Sequence, residues 1–239
     1  MTALGETLAR HLECFGTLPE PDRAAIAALD GERRSVGRMR DVYRVGDQPR
    51  HAVIVLSGFL FRYSLGADGG QQVHSFYLPG EAPDLETLYL DYMDNNLAAA
   101  VDSEIGMVPH EALYRVIDDF PEARKLLWRQ TLVQAAVFRE WLVRNSHLTA
   151  DGALAHLLCE IHVRAKAAGL ADGCSCPLPL SQELVSDALG MTAVHVNRMM
   201  QLLRRTGAVE WRSGVLTIHD WERLSALAAF DAKYLHLRG

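Results

Sequence analysis

The 239-residue sequence has no apolar stretch near the ~20 residues needed to span a bilayer; its longest apolar segments, such as 53–56, are strand-sized. It also lacks an excess of positive charge. Lys and Arg number 24 against 30 Asp and Glu, a net charge of −6. A basic footprint over the whole chain is therefore excluded, and any nucleic-acid contact must come from a local patch. Four cysteines are too few for a disulfide framework in a chain this long, so a reducing cytoplasm is expected. The first six residues, Met-Thr-Ala-Leu-Gly-Glu, carry no basic region followed by an apolar core, so no secretion signal is expected there.

Catalytic signatures are scarce as well. Gly66, Gly69 and Gly70 lie in a stretch with no following helix and no Lys, which fits a hairpin turn rather than a phosphate loop. Ser181, Asp187 and His195 could be written as a triad, but no nucleophile elbow accompanies them. Asp118 with Asp119, and Glu81 with Asp84, have no partner that suggests acid–base work. No enzymatic activity, cofactor or metal site is expected. The composition, 49% hydrophobic and 23% charged, excludes a disordered chain.

Leu4, Leu8, Leu12 and Phe15 recur at helical spacing, and Asp22 is expected to cap a short helix carrying Ile26 and Leu29. Short β-rich runs follow at 42–45, 52–56, 59–65, 71–78, 97–101 and 105–108, separated by Gly, Asp and Pro. That rhythm predicts an all-β sandwich or roll. Phe59, Phe61 and Tyr63 alternate with Leu60, Arg62 and Ser64, the period of a strand.

A short helix is expected over 110–117, and Pro121 opens a segment to about 146 with no further Gly or Pro. Its apolar residues, among them Leu127, Leu132, Val137, Phe138 and Leu142, are too many for a stripe facing one core. This predicts self-association through residues 121–146, the alternative being a helix fully buried within one chain. Residues 150–168 form another helical pattern, and 169–179 read as a loop.

Residues 180–218 are the most informative. Ser181 is a plausible N-cap, Gly190 ends a short helix, and Thr192 caps a second one. Val194, Val196, Met199, Met200, Leu202 and Leu203 are expected on the buried side of that second helix, which Thr206-Gly207 stops. Two short β runs around 212–214 then form a hairpin, and Asp220 caps a last helix. A helix-turn-helix followed by a hairpin is a winged helix. Its second helix would enter a DNA major groove, with Thr192, Ala193, His195, Asn197 and Arg198 outward and Arg198 reading a base. Ser181 and Gln182 suit phosphate oxygens, and Arg204, Arg205 and Arg212 add charge along the backbone path. From residue 177 onward, seven Lys and Arg stand against six Asp and Glu, so the module is near neutral and gains from a dimer that doubles its contacts.

Taken in order, Val45-Gly46-Asp47, Val55-Leu56-Ser57-Gly58, Leu78-Pro79-Gly80-Glu81 and the stretch 180–207 resemble the Crp/Fnr family of bacterial transcription regulators. The resemblance implies an α+β chain. It would consist of an N-terminal β-roll of the double-stranded β-helix (jelly-roll) type over 1–120, a dimerisation helix over 121–148, and a winged helix-turn-helix over 149–239. It implies a homodimer on double-stranded promoter DNA of two-fold symmetry, controlled by a small-molecule effector at the β-roll. RNA polymerase stands as a further candidate partner. The alternative is a small-molecule binding module whose winged helix contacts no DNA.

Departures from the family pattern matter. Members that bind cyclic nucleotides carry Arg-Ser or Arg-Thr some ten or more residues after Gly-Glu. Here Gly80 and Glu81 are followed by Asp94, Asn95 and Asn96, so the cation for a cyclic phosphate is missing and cAMP is not expected. Gly80, Glu81, Asn95 and Asn96 remain the candidate effector pocket. Oxygen-sensing members hold an iron–sulfur cluster with four Cys, three near the N-terminus. Only Cys14 lies in the first 150 residues here, with Cys159, Cys174 and Cys176 beyond. Ala193 and Val194 replace the usual Arg or Glu in the first turn of the recognition helix, so the preferred DNA sequence should differ from that of the best-known members.

Overall fold

The computed structural model describes residues 4–238. The first three residues read for a secretion signal, and Gly239 at the end of the expected third domain, lie outside the described residues.

Two helices, α1 (Leu4–Leu12) and α2 (Glu20–Ala27), come first. Phe15 falls beyond the first, and the second begins ahead of Asp22 with Pro19 at its N-cap position. Asp22 is therefore not the cap of its own helix. Its carboxylate accepts the backbone amides of Glu122 and Ala123, both at 2.9 Å, and so caps the long helix that follows the roll. A carboxylate at that end satisfies orphan N–H groups and opposes the positive pole of the helix dipole.

The strands are β1 (Glu32–Val36), β2 (Asp41–Tyr43), β3 (His51–Ser57), β4 (Leu60–Leu65), β5 (Gln71–Tyr77), β6 (Asn96–Ala99) and β7 (Ser103–Pro109). They form one sheet in the order β1-β7-β3 and another in the order β2-β6-β4-β5. Val36, Val53, Val55, Ile105 and Met107 of the first sheet share one core with Leu60, Tyr77, Leu97 and Ala99 of the second. Strand β1 has no apolar run in the sequence, because only Val36 of Glu-Arg-Arg-Ser-Val is buried. The alternation read at 59–64 also fails locally. Phe59, Leu60 and Phe61 are all buried, so the start of β4 is covered on both faces.

Helices α3 (His110–Asp119), α4 (Pro121–His147) and α5 (Ala150–Ala167) follow. The loop expected over 169–179 contains a short strand, β8 (Ser175–Pro177). Helices α6 (Gln182–Leu189) and α7 (Ala193–Arg205), strands β9 (Val209–Arg212) and β10 (Val215–Ile218), and helix α8 (Trp221–Leu227) follow, and a short 3-10 helix (Ala232–Leu235) comes after them. The small sheet has the order β8-β10-β9.

The chain divides into two compact units. Of the described residues, one comprises 4–63, 76–135 and 237–238; the other comprises 64–75 and 136–236. The long helix therefore contributes its first half to one unit and its second half to the other. In the first unit, Gln130 and Gln134 both donate to the carbonyl of Ala82, at 2.7 and 2.9 Å, which fixes the loop after Glu81 against α4. In the second unit α5 is the central helix, buried along nearly its whole length. No helix of the described residues is long and apolar enough to cross a membrane.

Candidate nucleic-acid interface

The helix-turn-helix is built by local chemistry. Ser181 Oγ accepts the amide of Leu184 at 3.2 Å, and Thr192 Oγ1 accepts that of His195 at 3.2 Å, so both helices begin at side-chain caps. Gly190, at φ 63°, takes the left-handed conformation that turns the chain between them. Leu184, Val185, Ala188 and Leu189 of α6 are buried, as are Val196, Met199, Met200 and Leu203 of α7. The wing hairpin turns at Ser213 and Gly214, both at positive φ, and Trp211 Nε1 donates to the carbonyl of Leu178 at 2.9 Å.

Two residues expected in the core of α7 lie outside it. Val194 is 81% exposed and Leu202 is 43% exposed. The spacing read from sequence widens the apolar stripe beyond what α6 and α5 can cover. Val194 stands in the first turn, next to the cap, where a helical reading head meets base edges. Sequence reasoning missed it because an apolar residue at helical spacing is more often core.

The other expected residues divide into groups. Thr192 and Arg198 are exposed, while Ser181, Gln182, Ala193, His195 and Asn197 are half-buried. Arg198 makes no ion pair or hydrogen bond among the described residues. Asn197 Nδ2 donates to Gln182 Oε1 at 3.0 Å, so those two side chains brace each other. Arg204 donates to the carbonyl of Trp211, tying the recognition helix to the wing instead of extending freely. Arg205 and Arg212 are exposed, Arg212 lying 4.0 Å from Glu210.

The candidate effector residues are bound up in the roll itself. The amide of Gly80, at φ 99°, donates to Val55 O at 2.8 Å, and Glu81 Oε2 accepts the amide of Leu78 at 3.0 Å. Asn96 Oδ1 accepts the amide of Val45 at 3.1 Å, and Asn95 donates to Asp94. A half-buried ion pair, Arg62 with Glu86, and the buried Asp84 lie in the same unit. Arg62 donates to Glu86 and to the carbonyl of Pro83, and Asp84 Oδ1 accepts the amide of Val53 at 2.8 Å. Burial pushes the Asp84 carboxyl up to about 8, against the opposing pull of that amide.

On α4, Ala123, Leu126, Leu127, Val133, Val137 and Trp141 are buried, whereas Trp128, Leu132, Phe138, Leu142 and Val143 are 41–55% exposed. The long helix thus carries a second apolar stripe that the described residues leave about half exposed. Burial raises the thiols of Cys159 and Cys176 to about 12 and about 11, so both stay protonated and inert near neutral pH. Among the described residues, no group of three or more His, Cys, Asp or Glu could hold a metal ion.

Two sheets around one core, a long helix with exposed apolar side chains and a winged helix-turn-helix define the class of a DNA-binding regulator. The cyclic nucleotide-binding domain family model matches residues 33–120, and the Crp-like helix-turn-helix domain model matches residues 152–227. A protein of Rhizobium leguminosarum bv. viciae, named "Probable transcriptional activator", is 29% identical over 178 residues, covering 74% of this chain and 72% of its own. The transcriptional activator protein FnrA of Stutzerimonas stutzeri is 25% identical, covering 88% of this chain and 87% of its own. The structure of FixK2 from Bradyrhizobium japonicum is similar in fold, with a TM-score of 0.76 and 23% identity over 85% of this chain and all of that one. The chain belongs to the Crp/Fnr family and is a DNA-binding transcription regulator. These relatives do not favour the alternative of a binding module that contacts no DNA.

Proposed function

We propose that two copies of this chain pair along α4 and present two α7 helices to a two-fold-related promoter site. The observation that carries this reading is the exposed side of the first two turns of α7. Val196, Met199 and Met200 anchor the helix, while Val194 is 81% exposed and the exposed Arg198 makes no ion pair or hydrogen bond among the described residues. A guanidinium matches the acceptor pair of guanine, and a valine side chain suits a thymine methyl. Ser181 and Gln182 at the start of α6, with the exposed Arg205, are assigned to backbone phosphates in this reading. The uncovered stripe of α4 supports pairing, since a near-neutral reading head gains affinity from being doubled.

The effector reading is narrower. The positions that would hold a cyclic phosphate carry Asn95 and Asn96, and the guanidinium nearby, Arg62, is already committed to Glu86 and Pro83. These residues do not fit a cyclic nucleotide. A different signal at the roll would shift the dimer between two arrangements of its heads. Contact with RNA polymerase belongs to the same reading and follows from the family's role in transcription.

An anisotropy titration on promoter fragments from the source genome tests the proposal. Sequence-preferring binding with a steep salt dependence is expected. Equal affinity for every duplex at moderate salt would sink it.

A further inference from the structure

The carbonyl of Ala188, near the C-terminus of α6, belongs to the last turn of a helix, where carbonyls lack an intrahelical partner. Here two side chains of α4 supply donors: Arg144 Nη2 at 3.2 Å and Asn145 Nδ2 at 3.0 Å. Arg144 Nε donates in turn to Asn145 Oδ1 at 3.0 Å, which closes a triangle of three hydrogen bonds. All three residues lie in the second compact unit.

Arg144 is 1% exposed, and its guanidinium carbon sits 4.3 Å over the ring of Trp141. Trp141 Nε1 donates to Glu160 Oε2 at 2.8 Å, and the same carboxylate accepts from Tyr234 Oη at 2.8 Å. Arg164 Nη1 donates to Glu160 Oε1 at 3.0 Å. Burying a guanidinium this fully is costly, and an apolar side chain of similar volume would fill the space more cheaply. A charged donor is warranted where something must be held in one orientation. Among the described residues, the backbone group that the Arg144 side chain holds across elements, Ala188 O, belongs to the first helix of the reading head. On the same unit, the adjoining Asp187 accepts from Gln71 Nε2 at 3.1 Å through its carboxylate and from Gln72 Nε2 at 2.8 Å through its carbonyl.

We propose that Arg144 and Asn145 are positioning residues that fix the angle of the reading head on the C-terminal half of α4, and thereby set the half-site spacing the regulator prefers. This rests on the paired, DNA-reading function proposed above. Leu142 and Val143 of the uncovered stripe adjoin Arg144 in sequence, so the helix that pairs with a second copy also orients the head. The thirteen residues of α7 span about 20 Å, at about 1.5 Å per residue. Tilting a lever of that length by roughly 10° moves its far end by about 3.4 Å, the rise of one base pair. A loose anchor therefore spreads the spacing of two heads without changing the bases each one reads.

The test is selection from a library of duplexes with a random core, using the full-length protein and its Arg144→Met, Arg144→Lys and Asn145→Ala variants. The parent is expected to enrich paired half-sites at a single spacing. Arg144→Met and Asn145→Ala should enrich the same half-site bases over several spacings, with the preference for the parental spacing falling about tenfold. Arg144→Lys, which keeps a charged donor, should retain much of that preference. Selection of the same single spacing by both Arg144→Met and Asn145→Ala, as strongly as by the parent, would overturn the proposal. Asn145 is exposed, so its variant carries the test if Arg144→Met does not fold. If the parent enriches no paired half-sites, the DNA-reading dimer fails by itself. Hydrogen exchange over residues 182–190 then decides the anchor: faster exchange in Asn145→Ala supports it, and unchanged exchange overturns it.

Discussion

Asn197 Nδ2 donates to Gln182 Oε1 across 3.0 Å, joining the middle of the recognition helix to the first turn of the helix before it. Gln201 Nε2 donates to Asn197 Oδ1 at 2.8 Å and extends the brace along α7. Two residues that read as separate DNA contacts thus form one structural tie. Asn197→Ala removes it at a half-buried position, at a cost of about 1 kcal/mol. Affinity is expected to fall about fivefold on every duplex alike, as measured by anisotropy. A loss confined to particular base changes would instead make Asn197 a base reader.

Arg198 and Val194 should behave in the opposite way. Arg198→Ala is expected to lose about 1–3 kcal/mol of discrimination at one base position. Val194→Ser should weaken preference for thymine at a neighbouring position while leaving the fold intact, because Val194 is 81% exposed. Competition binding with single-base variants of a selected site measures both. Unaltered base preference in Arg198→Ala would remove its assigned role.

Leu132 and Leu142 are 52% and 55% exposed on α4, so a charge at either costs the isolated chain little. A two-fold interface carries the substitution twice, so two carboxylates would be buried against the partner's apolar side chains. Leu132→Asp and Leu142→Asp should weaken self-association about 100-fold, roughly 2.7 kcal/mol. Sedimentation over a concentration series checks this, with circular dichroism confirming the fold. A dimer of undiminished strength would show that the chains pair elsewhere.

Asp84 predicts a pH dependence. Its carboxyl is raised in the folded chain to about 8, against about 3.9 when unfolded. Between these values the folded state holds a proton that the unfolded state has released, so stability falls as pH rises from about 4 to about 8. The slope cannot exceed about 1.4 kcal/mol per pH unit. Asp84→Asn keeps an oxygen for the amide of Val53 and removes the titration. Denaturant unfolding at pH 5, 6, 7 and 8 should show the parent losing stability relative to the variant, and parallel curves would contradict the shift.

Cyclic nucleotides provide a further check. Thermal unfolding with saturating cAMP or cGMP should show no rise in Tm, since a ligand that binds the folded state must stabilise it. A clear rise would mean that Asn95 and Asn96, or Arg62 freed from Glu86, can hold the phosphate after all.

The sequence was most readable where structure is set by neighbours in the chain. Ser181, Gly190, Thr192 and Asp220 act within a few residues of themselves: Ser181, Thr192 and Asp220 each begin a helix and Gly190 ends one, as their chemistry implies. It was least readable where a residue serves a distant element. Asp22 has a capping side chain, but the helix it caps begins a hundred positions away. Strand β1 shows no apolar pattern because its backbone pairing with β7, from Glu32 opposite Met107 to Val36 opposite Ser103, holds a charged segment in place. The same holds for β8, which pairs with β10 across forty residues of chain.

Periodicity, turn residues and caps by themselves determined the order of roll, long helix and winged helix, because those signals are written at short range. Which apolar residues are left uncovered was decided only in three dimensions. Val194 looks like core in one dimension, and only the packed neighbours show that it stands 81% exposed. Arg144 is the converse: an arginine reads as surface until Trp141, Asn145 and the carbonyl of Ala188 are seen to enclose it. Burial is a property of the assembled surroundings, and the chain fixes it only by folding.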